Sequence, residues 1–189
     1  MTVSRLGLDE YFLAMAALVA RRSTCVRRSV GCVLVDADHH VLATGYNGVA
    51  SGEAHCIDYP CAGADLPSGT GLEKCEAIHA EQNAILQCND VRQIKTAYVT
   101  VSPCVTCTKL LMNTGCTRIV FSNEYTDTSA ARLWKGEWIN GGSVEHVLAK
   151  EQLETTDRST GSVVSKGNQS RRGDTRPEPD DTRTGRRTS

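Results

Sequence analysis

Three things are scarce in this chain of 189 residues: net charge, long apolar runs and repetition. The formal charge is −1, without the basic excess by which proteins grip a phosphate backbone, so nucleic acid is not an expected partner. The apolar run at 11–20 is far too short to span a bilayer, and no membrane partner is expected. Asp9-Glu10 precedes that run and Arg21-Arg22 follows it, which is not the order of a secretory signal. No internal repeat is visible, and the length suits one domain with a sizeable core. Apolar residues nearly vanish after 154, where Val163 and Val164 are the only aliphatics. Residues 1–154 hold 13 Lys/Arg against 17 Asp/Glu, whereas 155–189 hold 8 against 5. The expectation is a catalytic domain at 1–154 and a disordered polar tail at 155–189, which cannot bury enough surface to offset its ordering entropy.

What is plentiful is cysteine: nine, at 25, 32, 56, 61, 75, 88, 104, 107 and 116. An odd number without a secretory signal favours a reducing, cytoplasmic setting with thiols used for metal. Two thiols sit in Pro103-Cys104-Val105-Thr106-Cys107, downstream of His79-Ala80-Glu81. One His and two Cys make three ligands of a tetrahedral zinc and leave a fourth position open, the arrangement of a catalytic rather than a structural site. In the zinc nucleobase deaminases the ion activates a water, and a Glu that is not a ligand moves its proton; the signature is H-x-E followed by P-C-x-x-C. A lone C-x-x-C is weak, being equally a redox pair or half of a structural site. Here both halves occur together, each where a helix starts. Pro103 suits a first helical position, and Cys104 and Cys107 would share one face of the first turn, where thiolate is favoured.

The surrounding chain reads as alternating helices and strands. Residues 8–22 form an amphipathic helix with Leu8, Tyr11, Phe12, Met15, Leu18 and Val19 inward. Residues 29–36 and 41–45 read as a hairpin, with His39 and His40 exposed in its link. Gly45-Tyr46-Asn47-Gly48 is a turn, or a place where the Asn47 amide meets a ligand. The Cys-rich insertion at 49–76 is long for a compact domain unless functional or tied down. Cys25, Cys56, Cys61 and Cys75 could hold a second, structural zinc; ordinary buried thiols, or His55 in place of one cysteine, are the rival readings. Then come a helix after His79, a strand at 96–102, a helix at 103–114 stopped by Gly115 and a strand at 117–122. A helix at 127–138 and a last strand at 143–148 complete an α/β pattern. Cys32, Cys88 and Cys116 read as small packing residues.

These pieces resemble the deoxycytidylate (dCMP) deaminase family. The matching stretches are Ser23-Thr24-Cys25, Val30-Gly31, Gly45-Tyr46-Asn47-Gly48, His55-Cys56, Cys75, His79-Ala80-Glu81-Gln82-Asn83-Ala84-Ile85 and Ser102-Pro103-Cys104-Val105-Thr106-Cys107, within residues 6–150. The resemblance implies the three-layer α/β/α cytidine deaminase-like fold with a mixed sheet of about five strands. It implies hydrolysis of dCMP to dUMP and ammonia for thymidylate synthesis. His79, Cys104 and Cys107 would hold the catalytic Zn2+, and Glu81 would shuttle protons. Asn47, Tyr125 and Arg28 would contact the deoxynucleoside monophosphate, an exposed Arg28 being the plainer alternative. A homo-hexamer regulated by dCTP and dTTP, with Mg2+ accompanying the effector near Tyr46, Asn47 and Gly48, is the family's further expectation. The setting would be the cytoplasm, a host's if the chain is phage-encoded. Competing readings are a deaminase of 5-modified dCMP, a tRNA or nucleoside deaminase, and a non-catalytic zinc module that senses nucleotides.

Overall fold

The computed structural model describes residues 5–67 and 70–144. The expected tail and residues 145–148 of the expected last strand lie outside them. Helix α1 (Leu8–Ala20) leads into a hairpin of β1 (Gly31–Val35) and β2 (Val41–Tyr46). The insertion carries a short 3₁₀ turn, Leu72–Lys74, before α2 (Ala80–Gln87). Then follow β3 (Thr96–Val101), α3 (Val105–Met112), β4 (Arg118–Asn123), α4 (Ser129–Leu133) and β5 (Glu137–Asn140).

The strands form one mixed sheet in the order β2-β1-β3-β4-β5. β1 runs antiparallel to both β2 and β3. β3, β4 and β5 run parallel, because α3 and α4 supply the crossovers that parallel neighbours require. All five residues of β1 are buried, as expected of a strand covered on both faces. On one face α1 packs Phe12, Leu13 and Ala16 onto Val33, Tyr98 and Val120. On the other, α2 and α3 bring Ala80, Ala84 and Leu111 against Cys32, Val99 and Ile119. This is the α/β architecture expected from the sequence, with helices on both faces of a five-stranded sheet.

Two glycines set how closely the helices lie. A Cβ at Gly31 would sit 2.1 Å from the Ala16 carbonyl oxygen, and one at Gly45 would sit 2.3 Å from that of Ala80. Both contacts are with helix backbone, so no side-chain movement could relieve them. Gly45 thereby seats the helix that begins at His79 directly on β2.

Four expectations need correction. The inward face of α1 is Phe12, Leu13, Ala16 and Ala20, while Leu8, Tyr11 and Leu18 are exposed. Bulk misled the reading: α1 approaches Gly31 through the backbone of Ala16 and Ala20, so these small residues share the inward face with Phe12 and Leu13. The helix expected at 127–138 is only α4, which ends at Leu133; the chain then enters β5, where the Glu137 N–H donates to the Thr117 carbonyl at 3.0 Å. The fifth strand is therefore 137–140, and Ser143-Val144 belong to no strand. Finally, Pro103 precedes the N-cap of α3 instead of occupying its first turn; the N-cap is Cys104.

Candidate active site

Both helices that point into the site begin with a donor residue. His79 is the N-cap of α2 and Cys104 the N-cap of α3, each in extended backbone with φ of −70° and −69°. The His79 N–H is held by the Gln82 side chain at 2.8 Å. From these positions the His79 Nδ1 lies 3.5 Å from the Cys104 Sγ and 3.4 Å from the Cys107 Sγ. Ligand bonds of zinc to imidazole nitrogen and thiolate imply a tetrahedral N···S edge of about 3.6 Å, so this donor set fits the ion without rearrangement.

The two thiols are coupled through a shared proton. The Cys104 thiol is drawn down to about 4, first by the proton that Cys107 donates to it and then by His79. Cys107 is pushed up correspondingly, by its bond to Cys104 and by burial. Glu81, at the second helical position of α2, is 4% exposed. Burial lifts its carboxyl to about 7, against the pull of its own N–H and of His79. A carboxyl at that value can both take and give a proton at neutral pH.

His79, Glu81 and Cys104 open onto a cleft that Arg28, Asn47, Ser102 and Tyr125 also line. Asn47 is 7% exposed, and its amide is committed at both ends. Its Oδ1 accepts the Val30 N–H at 2.8 Å and its Nδ2 donates to the Arg28 carbonyl at 2.7 Å. One lone pair and one N–H remain for a ligand. Arg28 is half-buried, contrary to the exposed alternative; its guanidinium lies 5.6 Å from the Tyr125 ring centroid, and Nη1 is buried without a hydrogen-bond partner among the described residues. Gly48 exchanges two backbone hydrogen bonds with Ile78, immediately before His79.

Three residues gain a role that composition did not signal. Asn83 donates to the Tyr46 carbonyl at 2.8 Å, fastening α2 to the turn that carries Asn47; its place in His-Ala-Glu-Gln-Asn was the available hint. Ser102 accepts the Tyr125 N–H at 2.8 Å. Arg27, on the cleft wall, spends its guanidinium on the Pro67 and Thr70 carbonyls of the insertion.

The insertion cysteines are partly assembled. The Cys56 and Cys61 sulfurs are 3.8 Å apart. The Ile57 N–H reaches the Thr24 carbonyl at 3.1 Å, which brings the Cys56 and Cys25 segments together. Cys61 is held below its ordinary value first by the Glu76 N–H, next to Cys75. Among the described residues, no three of Cys25, His55, Cys56, Cys61 and Cys75 come within common ligand distance. Cys25 and Cys75 are also among the residues that line the main cleft.

A family model described as "Cytidine and deoxycytidylate deaminase zinc-binding region" matches residues 7–123. The chain belongs to this family. It is 41% identical over 128 residues to a protein of Mycobacterium phage D29 named "Deoxycytidylate deaminase", covering 65% of this chain and 99% of that one. It is 38% identical over 119 residues to the Saccharomyces cerevisiae protein of the same name, covering 62% of this chain. The match spans only 38% of that yeast relative, under half its length. The crystal structure of dCMP deaminase from cyanophage S-TIM5 in complex with dCMP and dUMP superposes with a TM-score of 0.58 at 25% identity, covering 73% of this chain and 98% of that one. The family's zinc-binding character agrees with the His79, Cys104 and Cys107 donor set. Among the described residues no helix is long and apolar enough to cross a membrane.

Proposed function

We propose that this chain hydrolyses dCMP to dUMP and ammonia, in a cytoplasmic setting where dUMP feeds thymidylate synthesis. One observation carries the reading: a cleft lined by His79 and Cys104 of the His/Cys/Cys donor set also holds a buried carboxyl lifted to about 7 and an arginine whose Nη1 has no hydrogen-bond partner among the described residues. The relatives named as deoxycytidylate deaminases support it.

His79, Cys104 and Cys107 would hold the zinc, which supplies Lewis-acid activation of the attacking water at neutral pH. Glu81 takes a proton from that water as its oxygen adds to C4 of cytosine, and passes it to ring N3. It then assists the second transfer, to the amino nitrogen, as the C4–N bond breaks and the C4 carbonyl forms. Asn47 holds the Arg28 and Val30 segment and offers its remaining N–H to the sugar. Arg28 faces the 5′-phosphate, with a planar fork suited to its oxygens. Tyr125 walls the cleft beside it.

A second zinc, held by Cys25, Cys56, Cys61 and Cys75, would tie down the insertion. The short Cys56–Cys61 distance and the Ile57–Thr24 link support it. We assign the turn at Tyr46, Asn47 and Gly48 to dCTP and dTTP effectors, with Mg2+ on the triphosphate, in a homo-hexamer. The Gly48–Ile78 bridge supports this, since it runs from the turn straight to a zinc ligand.

The test follows loss of cytosine absorbance with purified protein, comparing dCMP, deoxycytidine and 5-methyl-dCMP, beside metal analysis. Turnover confined to monophosphates with about two zinc ions per chain is the expected result. Turnover of 5-methyl-dCMP at an equal rate would widen the substrate class. No turnover of any of them with zinc bound would overturn the reading in favour of an RNA deaminase or a nucleotide-sensing module. Equal rates with and without dCTP at subsaturating dCMP would remove the effector assignment.

A further inference from the structure

We propose that Ser102 is a positioning residue: acting through Tyr125, it sets the Arg28 guanidinium against the cleft and thereby governs affinity for the anionic part of the ligand. This rests on the nucleotide reading above.

Ser102 is 5% exposed and directly follows β3, in the link to Pro103-Cys104. It makes two bonds to the chain that leaves β4. Its N–H donates to the Asn123 carbonyl at 2.8 Å, and its Oγ accepts the Tyr125 N–H at 2.8 Å. The segment from 124 to 125 has no regular structure of its own, so these bonds fix where the Tyr125 ring stands. Arg28 is held at both ends. Its carbonyl takes a hydrogen bond from the Asn47 Nδ2 at 2.7 Å. Its guanidinium rests over the Tyr125 ring at 5.6 Å, a contact that orders the cation without consuming its N–H donors.

The Nη1 of that guanidinium is buried with no acceptor among the described residues. A buried donor without a partner is unfavourable, and a planar fork poised this way matches an oxyanion. The ring's place therefore decides the fork's place, and the Ser102 hydroxyl decides the ring's. The metal donors do not use that hydroxyl. Cys104 is placed by the start of α3 and by His79, so zinc binding is separable from the effect.

The experiment measures affinity for dUMP and for deoxyuridine by calorimetry on zinc-loaded full-length protein, with zinc per chain and circular dichroism for every variant. Ser102→Ala is expected to weaken dUMP binding about three- to tenfold, the scale of one neutral hydrogen bond. Deoxyuridine affinity should fall by less than about twofold, with zinc content unchanged. Ser102→Thr, which keeps the hydroxyl, should recover most of the loss. The double variant Ser102→Ala/Tyr125→Leu should bind dUMP no more weakly than Tyr125→Leu alone, because both act on one contact. Equal losses for the two ligands, loss of zinc, or additive effects in the double variant would each overturn the proposal. Wild-type protein that binds dUMP no better than deoxyuridine would instead remove the nucleotide reading itself, and the proposal with it.

Discussion

Gly48 and Ile78 form a two-bond clamp: the Gly48 N–H donates to the Ile78 carbonyl at 3.1 Å and the Ile78 N–H returns to the Gly48 carbonyl at 2.8 Å. The next residue is His79. The turn that presents Asn47 and the first metal donor are thus parts of one backbone unit.

Replacing Ile78 by Pro deletes the shorter bond of that clamp. Zinc affinity should fall about tenfold, the usual range for supports of a metal ligand, while Ile78→Val keeps the N–H and should leave it intact. Chelator competition followed by metal analysis reads the difference. Equal affinities in the two variants would detach the clamp from the metal site.

Glu81 should be dispensable for metal and indispensable for chemistry. Glu81→Gln keeps the shape of the side chain but cannot take a proton. Turnover should fall by about 10²-fold or more, with zinc content equal to wild type. Retained activity would sink the proton-shuttle assignment.

Gly45→Ala tests the seating of α2. The added Cβ would meet the Ala80 carbonyl at 2.3 Å and the Ala84 nitrogen at 2.4 Å, both backbone. A loss of about 3 kcal/mol in unfolding free energy is expected from such overpacking. Urea denaturation measures it, and a stable variant with unchanged zinc affinity would show that α2 can shift freely.

On the far face of the sheet, Arg118 grips Asp9 through two contacts of 2.7 Å. That pairing holds the Asp9 carboxyl below its ordinary value, despite partial burial. The folded protein therefore takes up this proton less readily than the unfolded chain. The stabilisation is complete above the ordinary carboxylate range and is lost as pH falls through the depressed value. Asp9→Asn should lower the thermal midpoint at pH 7, and the gap to wild type should close as pH drops below about 4. A gap independent of pH would mean that the pair contributes through shape rather than charge.

How far the sequence reached depends on the kind of information each residue carries. The donor set was legible because metal ligation demands particular atoms at particular spacings, and His79, Cys104 and Cys107 meet that demand within two short stretches, with Glu81 beside them for proton transfer. The hairpin and the strands at 96 and 117 were legible from local alternation and turn chemistry. The inward face of α1 was not, because Ala16 and Ala20 face the sheet only on account of Gly31, a partner on another element. The last strand was misplaced for a similar reason: 137–140 has weak strand character alone and becomes β5 by pairing with β4.

By itself the sequence determined the chemistry of the metal centre, the number and mixture of elements, and the polar character of the tail, since each follows from local composition and spacing. The tertiary structure alone decided which side chains share the cleft. Only folding sets Arg28 over Tyr125 and commits Asn47 to two backbone groups. The same folding joins Ser102 to Tyr125, 23 residues apart in the chain. Contacts between distant segments depend on packing of the whole sheet, and no local pattern encodes that.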